Sequence, residues 1–415
     1  MVDSPEYLSE AKNILNNGKL YCGELENTIN PDFYTKRPPV YPLFIVFFKL
    51  ISQSDLLIIF IQSIVSIFSI LIIRNAFIRI GYNTNNDRLF LLFLIFSPVQ
   101  MVYANLIMSE IIFQFMLALA FYYIVRYSVE GRLKYLGFFS LLIVLSALTK
   151  PVMYLFVYPL FLATIYFSFK NKSFRPLLIG VIPILIIQSY SYWNYKRTEY
   201  WNFSSIQSIN MVQYNTYYFN VKRFGFEKAD AFLDNQINQS NTIDSYPEKK
   251  NFLINSSNQV IKDDILGYMW FHTKGMFRFF IDPGRFDLSN FFGLENKGNV
   301  GFLNYLNNGG IRGAISYLLE QNIWLIIGLI VIGIFNVFKL LGLSFFLIKK
   351  SIDIKFRLIV LFIIGYVAFA TGPLGASRFA MPFIPIIIFS TLIAISNFNP
   401  FATKTCNTVH FSENH

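Results

Sequence analysis

Charged residues are scarce in this sequence, and their scarcity decides the class of protein. Only 14% of the 415 residues are Asp, Glu, Lys or Arg, whereas a soluble domain averages about 25%. Hydrophobic residues make up 54% of the chain and include 47 phenylalanines. Because closely spaced apolar runs must cross a bilayer as helices, the composition predicts an all-α polytopic membrane protein.

Cysteine and histidine are also rare. Cys22 and Cys406 lie near opposite ends of the chain, and the three histidines are His272, His410 and His415. Neither residue type shows the close spacing of a zinc site or a redox motif. No cofactor is therefore predicted with certainty, although a divalent ion held by two carboxylates stays open.

Nine apolar runs predict membrane-spanning helices, each of which needs roughly 20 residues. They lie at about 55–73, 89–106, 110–126, 135–149, 151–169, 176–193, 322–347, 358–374 and 379–396. Residues 38–52 are apolar but short, which favours an interfacial or re-entrant helix before the first span.

Basic residues are concentrated in alternate loops, which orients the chain. Four loops together account for +10 of the formal net charge of +11: 74–88, 126–134, 170–175 and 349–357. We predict that these loops are cytoplasmic. The basic excess then reflects orientation in the membrane, and no nucleic-acid partner is indicated.

The resulting domain plan alternates polar and apolar segments. We predict a first external loop with interfacial helices (1–54), about six transmembrane helices (55–193), a small external domain that is mainly helical or mixed (194–321), about three further transmembrane helices (322–396) and a cytoplasmic tail (397–415). Because only Met1 and Val2 precede the external Asp3, and no signal peptide is present, we expect that an N-terminal transmembrane helix is missing.

This topology places four ionisable residues at one membrane face: Asp3, Glu110, Lys150 and Arg378. Ionisable groups at or inside membrane depth are costly and often functional. Acids and cations that meet there suit a substrate with an anionic lipid phosphate and a hydroxyl or amine to be deprotonated. For Glu110, Lys150 and Arg378 taken singly, a structural role is an equal alternative: a favourable charge at a helix start for Glu110, and contact with the membrane interface for Lys150 and Arg378.

Five short segments follow one another along the chain in an order that is informative. They are DSPEYLSEAKNILNNGKLY, KRPPVYPLF, MSEIIFQFML, SYWNYKRTEYWNFSS and SRFAMPFIPIII. Together they resemble the first external loop, its closing (K/R)PPxYP element, the helix with a second acid, the start of the external domain and a late span of GT-C glycosyltransferases. The resemblance is to the ArnT-like and protein O-mannosyltransferase-like group, glycosyltransferase family 39.

The resemblance implies a sugar donor on a polyprenyl phosphate, used at the external face with inversion. Asp3 would be the catalytic acid residue that deprotonates or orients the acceptor, and Glu110 would position the acceptor or a metal ion. Arg37 and Arg378 would bind the departing lipid phosphate, and Lys150 is a further candidate for that role.

The resemblance also implies a sugar pocket and a set of partners. Tyr7 and Tyr41 would line the pocket, although tyrosine is abundant in the chain and a packing role is the simpler interpretation. The acceptor would be a lipid, a glycan or a protein, surrounded by membrane lipids, and no partner subunit is indicated. The location would be a bacterial or archaeal plasma membrane.

Two other functions stay open from the sequence. An O-antigen-type polymerase or ligase also combines many spans with a large external loop, but it would use Arg or His residues in external loops. A transporter of lipid-linked glycans would have interrupted helices in two related halves. The leading acid and the clustering of charges at one face favour the transferase.

Overall fold

The computed structural model describes residues 3–293, Arg312 and 323–396. These residues form helices joined by turns and contain no strand, so the prediction of an all-α polytopic membrane protein is confirmed. The predicted tail 397–415, with Cys406, His410 and His415, and most of 294–322 lie outside the described residues.

Nineteen α-helices follow one another in the described chain. They are α1 (Ser4–Asn17), α2 (Val40–Ile51), α3 (Asp55–Ile78), α4 (Asp87–Ile95), α5 (Val99–Ala104), α6 (Glu110–Glu130), α7 (Leu133–Thr149), α8 (Val157–Lys170), α9 (Arg175–Thr198), α10 (Ile206–Asn210), α11 (Tyr217–Phe224), α12 (Phe226–Asn241), α13 (Tyr246–Asp263), α14 (Ile265–Ile281), α15 (Arg285–Phe291), α16 (Ile323–Ile348), α17 (Ile354–Thr371), α18 (Ser377–Ala380) and α19 (Ile384–Ile395).

Seven segments of the described chain are long and apolar enough to cross a membrane. They are Asp55–Ile78, Glu110–Glu130, Pro151–Lys170, Arg175–Thr198, Ile323–Ile348, Ile354–Leu374 and Ser377–Ile395. Two predicted spans differ from this set. The span predicted at 89–106 is broken into α4 and α5 because Pro98 cannot continue a helix. The span predicted at 135–149 is α7, a shorter apolar helix of 17 residues.

The last helix, α19, lies at the centre of the bundle. It is apolar on all sides, as expected for a helix that is enclosed by others, and Phe389 is fully buried. The Phe389 ring stacks on Phe90 and Phe77, with centroids 4.3 and 5.4 Å apart. Because α18 directly precedes this helix, the packing of α19 also fixes the backbone of α18.

The N-terminal segment folds back on itself. Gly18 ends α1 in the left-handed conformation, at φ 62°, where a residue without Cβ is least strained. The Asn13 amide then donates to the carbonyl oxygens of Tyr21 and Gly23, at 2.7 and 2.8 Å. This return brings the stretch before α2 alongside α1.

The helices α10 to α15, which we call the connecting helices, join α9 to the last part of the bundle. The described part of this predicted domain is helical. Lys250 in α13 is buried and lies 2.6 Å from Asp32 Oδ1, and the Tyr246 hydroxyl donates to the same oxygen at 2.8 Å. These bonds attach the connecting helices to the N-terminal segment.

Candidate functional site

Arg378 connects three distant parts of the chain. It lies in α18, and its Nη2 atom is 2.6 Å from Asp3 Oδ2 at the start of α1. Its Nε atom donates to Oε1 of Glu110, the first residue of α6. One guanidinium therefore joins the two carboxylates that the sequence predicts as catalytic.

Arg37 lies on the other side of Asp3. Its Nη2 atom is 2.7 Å from Asp3 Oδ1 and 2.6 Å from Glu6 Oε2. Lys36 binds the second oxygen of Glu6, at 2.6 Å. The Arg37 guanidinium also lies 4.9 Å from the centre of the Tyr7 ring, a distance at which a cation is attracted to the ring face.

Glu110 and Lys150 form a buried pair. Glu110 is fully buried, and its Oε1 atom is 2.9 Å from Lys150 Nζ. The other oxygen, Oε2, has no hydrogen-bond partner among the described residues. A buried carboxylate oxygen without a partner is rare, so Oε2 retains an unused capacity to accept a hydrogen bond.

These residues form one group, which we call the ion-pair cluster: Asp3, Glu6, Lys36, Arg37, Glu110, Lys150 and Arg378. Its four cations outnumber its three carboxylates, which leaves an excess of one positive charge. A cluster of this composition can bind a singly charged anion without leaving a cation uncompensated.

Asp3 is held in its ionised form. Burial would raise the pKa of its carboxyl, but Arg378 and Arg37 outweigh burial and lower the pKa below its ordinary value. Asp3 occupies the position before α1, where a carboxylate often caps the helix, yet its side chain makes no capping bond. Each of its oxygens binds an arginine instead.

Two aspartates hold the backbone next to Arg378: Asp282, which follows α14, and Asp287, which lies in α15. Asp282 Oδ2 accepts a hydrogen bond from the Ser377 backbone N–H at 2.7 Å. Asp287 accepts from the Ser377 hydroxyl at 2.9 Å and from the Tyr103 hydroxyl at 2.8 Å. Burial raises the pKa of Asp287, and these two hydroxyls oppose that rise. The network fixes the direction from which Arg378 enters the cluster.

Tyr7 packs against Arg37 of the ion-pair cluster, and Tyr41 packs against Tyr7. Both rings are buried and meet edge to face, with centroids 4.7 Å apart. The Tyr7 hydroxyl donates to Ser109 at 3.0 Å, and the Tyr41 hydroxyl donates to Gln62 at 2.7 Å. Both hydroxyls are bonded within the protein in this conformation, and a role in a sugar pocket stays a prediction.

The structure therefore brings together all five charged residues singled out in the sequence, and it adds two. Glu6 follows Asp3 by three residues, the spacing that places two side chains on one face of a helix. Lys36 precedes Arg37 in the KRPPVYP segment. Both signals were present in the sequence. The supporting aspartates Asp282 and Asp287 carry no comparable signal, because nothing local connects them to α18.

A metal ion shared by Asp3 and Glu110 does not fit this arrangement directly. The Arg378 side chain lies between the two carboxylates and binds both. Elsewhere in the described chain, no group of three or more His, Cys, Asp or Glu residues could hold a metal ion. A divalent cation at this position would have to displace a guanidinium.

Comparison with protein families gives a match over part of the chain. Residues 36–193 match the family model described as dolichyl-phosphate-mannose-protein mannosyltransferase. The matched region includes Arg37, Glu110 and Lys150 of the ion-pair cluster, whereas Asp3 and Arg378 lie outside it. Searches of curated proteins and of solved structures found no significant match.

Proposed function

From the premise that this family match supports a GT-C-type membrane glycosyltransferase, we propose that the chain transfers a sugar from a polyprenyl-phosphate donor to an acceptor at the external face of the membrane. The observation that carries the proposal is the contact of Arg378 with both Asp3 and Glu110, inside a cluster with one excess positive charge. The basic loops on the opposite side of the chain support the external orientation.

The donor phosphate binds to Arg37 and Arg378. A polyprenyl-phosphate sugar carries one negative charge, and its leaving group gains a second as the bond to the sugar breaks. Fixed guanidinium groups stabilise that developing charge, and each presents paired N–H donors that match phosphate oxygens. Lys150, which is held against Glu110, adds a positive charge on the same side.

The acceptor oxygen attacks the anomeric carbon while the bond from that carbon to the phosphate oxygen breaks. The lipid phosphate leaves with the electron pair, and the acceptor proton passes to Asp3. Binding of the phosphate to Arg37 and Arg378 weakens their pairs with Asp3, so the pKa of Asp3 returns toward its ordinary value and the carboxylate becomes a better base. Glu110 orients the acceptor through its free Oε2 atom. A single displacement of this kind inverts the anomeric centre.

The test uses the purified full chain in lipid nanodiscs with polyprenyl-phosphate mannose and other polyprenyl-phosphate sugars. Release of polyprenyl phosphate is measured for Asp3→Asn and Glu110→Gln. We expect each variant to lose about 100-fold or more in turnover, the contribution of a positioned acid or base. The matched controls are Asp234→Asn and Glu227→Gln, which change exposed acids of α12. Unchanged turnover in both cluster variants would overturn the assignment.

The O-antigen-type alternative receives less support from the geometry. That function needs catalytic Arg or His side chains in external loops, and His272 is the histidine of the connecting helices. Its ring is hydrogen-bonded to the Phe369 carbonyl oxygen at 2.8 Å and packs against the Phe369 ring. Among the described residues, its hydrogen bond and its ring contacts are made to Phe369 and Tyr268, outside the ion-pair cluster.

A further inference from the structure

A cavity lies between the segments 151–170 and 175–198 and the start of the connecting helices, and Ser204 of its lining is hydrogen-bonded to the Lys36 backbone. It has a volume of about 280 Å³, slightly smaller than the pockets of roughly 300–1,000 Å³ that hold drug-sized ligands. Its described lining contains aromatic, hydroxyl and amide side chains and no charged residue. Nothing in the reaction described above uses it.

Several polar groups of this lining have unused hydrogen-bonding capacity. Both polar side-chain atoms of Asn202 are buried and have no hydrogen-bond partner among the described residues, and the buried side-chain nitrogen of Gln207 has only the Tyr154 hydroxyl beside it. Leaving a buried donor or acceptor unpaired costs about 1–3 kcal/mol. A site with several such groups is therefore built for a ligand that supplies the missing partners.

Aromatic rings form another part of the wall. Tyr154 stacks on Phe203, with ring centres 5.2 Å apart and planes 9° from parallel. Trp201 lies at the edge of the cavity and remains 53% exposed. Flat ring faces beside amide groups match the chemistry of a sugar, whose C–H face packs on aromatic rings while its hydroxyls pair with amides.

The same lining disfavours the other substrates of the reaction. A phosphate needs cations or several N–H donors, and the described lining has no cation. An isoprenoid chain would leave the buried amide of Asn202 without a partner. An uncharged carbohydrate satisfies both conditions.

Direct contacts connect the cavity to the ion-pair cluster. Ser204, in the lining, donates to the carbonyl oxygen of Lys36 at 3.1 Å. Tyr154 belongs to the turn that begins immediately after Lys150. Two sides of the cavity are therefore continuous with residues that bind Glu6 and Glu110.

We propose that this cavity is the acceptor subsite and that it binds an uncharged, hydroxyl-rich carbohydrate portion of the acceptor. The inference rests on the proposed transferase function, and it specifies that function further. It assigns acceptor recognition to Tyr154, Trp201, Asn202 and Gln207, separately from the donor phosphate at Arg37 and Arg378. The carbohydrate belongs to a glycolipid or to a free glycan, since the lining recognises the sugar itself.

The first measurement is direct binding to the full chain in nanodiscs. Saturation-transfer NMR is recorded with neutral methyl glycosides and disaccharides, and binding of a fluorescent polyprenyl phosphate is measured in parallel. We expect Asn202→Ala and Gln207→Ala to weaken saccharide binding about threefold to tenfold, the value of one lost hydrogen bond. Binding of polyprenyl phosphate should not change. The Asn202 substitution removes no side-chain hydrogen bond of the free protein, and melting temperatures of both variants show that they fold.

The second measurement separates this inference from the proposed function. Donor hydrolysis without acceptor reports the donor site, and the acceptor KM in transfer reports the cavity. The cavity variants should raise the acceptor KM and leave donor hydrolysis unchanged, with Asn171→Ala, an exposed amide at the opposite end of α8, as matched control. Glycolipid and free-glycan acceptors are compared to identify the source of the carbohydrate.

Three results would overturn the inference. The first is that no saccharide of the panel binds. The second is that the cavity variants weaken polyprenyl phosphate, which would place the lipid in the cavity. The third is that the cavity variants keep both donor hydrolysis and the acceptor KM unchanged. That result would refute the acceptor subsite and leave the proposed transferase function standing. Absence of donor turnover in the unaltered chain instead removes the proposed function, and this inference with it.

Discussion

Arg378 Nη2 lies 2.6 Å from Asp3 Oδ2, so a residue of the last described span neutralises a residue at the start of the chain. The same guanidinium also donates to Glu110. The two carboxylates bind different nitrogens of the planar guanidinium, whereas a lysine would have to bridge both from a single nitrogen. We therefore expect arginine to be required at this position.

Arg378→Lys tests this requirement. We expect transfer to fall about 100-fold, because lysine keeps the charge but loses the paired donors that reach phosphate and both carboxylates. Arg132→Lys, which changes an arginine whose side chain is 65% exposed, is the control and should keep full activity. Polyprenyl phosphate release in nanodiscs is the measurement. If Arg378→Lys retained most of the activity, the site would need only a positive charge at this position and not the paired N–H donors of arginine.

The location of the charged residues was the most predictable part of the site. Glu110, Lys150 and Arg378 each lie where an apolar run begins or ends, Asp3 lies in the polar segment before the first run, and the Lys and Arg distribution places all four on one side. Ionisable groups at such positions pair with one another because lipid offers them no other partner. The alternation of spans thus contains enough information to bring them together.

The partners within the cluster could not be predicted in the same way. Which oxygen of Glu110 stays free depends on the depth at which Lys150 and Arg378 enter, and the hydrophobic pattern does not specify depth. The support from Asp282 and Asp287 depends on the packing of α14 and α15 against α18, which joins segments distant in sequence. The break at Pro98 was visible in the sequence, but composition alone did not separate α4 from α5.

Gly275→Ala should shift the turn that precedes Arg378 and so displace the Arg378 side chain. A Cβ atom at Gly275 would lie 2.1 Å from the Gly372 carbonyl oxygen, and a Cβ atom at Gly375 would lie 2.0 Å from the Gly275 carbonyl oxygen. Backbone atoms cannot move aside as a flexible side chain can, so the turn before Ser377 must shift. We expect a loss of about 1–3 kcal/mol in stability, typical of overpacking, together with reduced transfer.

Gly137→Ala is the matched control for that change. Gly137 lies in α7, and nothing is within 4 Å of the position its Cβ would occupy. Alanine in a helix interior is favoured over glycine by roughly 0.5–1 kcal/mol, so the control should be as stable as the unaltered chain or more so. Melting temperatures and transfer rates of both variants are measured in the same nanodiscs. Equal behaviour of the two variants would contradict the close approach at Gly275.

Glu10 should make the stability of the chain fall as pH rises. The side chain is fully buried, and neither carboxyl oxygen has a hydrogen-bond partner among the described residues. Burial raises its pKa well above the ordinary value, although Arg37 and Arg197 oppose the rise. Above the ordinary pKa the folded state therefore holds a proton that the unfolded state releases, and stability declines by up to ~1.4 kcal/mol per pH unit until the folded pKa is passed.

Glu10→Gln removes this titration while keeping the shape of the side chain. The difference in melting temperature between the variant and the unaltered chain should grow in favour of the variant from pH 5 to pH 8. Glu227→Gln, at an exposed acid of α12, should show no such growth. A difference for Glu10→Gln that stays constant across this range would show that the buried carboxyl does not change its protonation on unfolding.

The orientation of the site can be tested by labelling single cysteines in intact cells. Asp234 lies in α12, among the connecting helices, and Asn171 follows α8 in a loop predicted to be cytoplasmic. Both are exposed. We expect a membrane-impermeant maleimide to label Asp234→Cys directly and Asn171→Cys only after the membrane is permeabilised. Cys406 is replaced by serine in both variants, and the chain with that replacement alone supplies the background, in which Cys22 is buried.

The reverse labelling pattern would place the ion-pair cluster on the cytoplasmic side, because Asp32 and Lys250 attach the connecting helices to the segment that holds Arg37. A cytoplasmic cluster would meet a polyprenyl-phosphate sugar before it is moved across the membrane, and the positive-inside rule would fail for four loops at once. The two cysteines therefore decide the membrane face of the reaction without any measurement of activity.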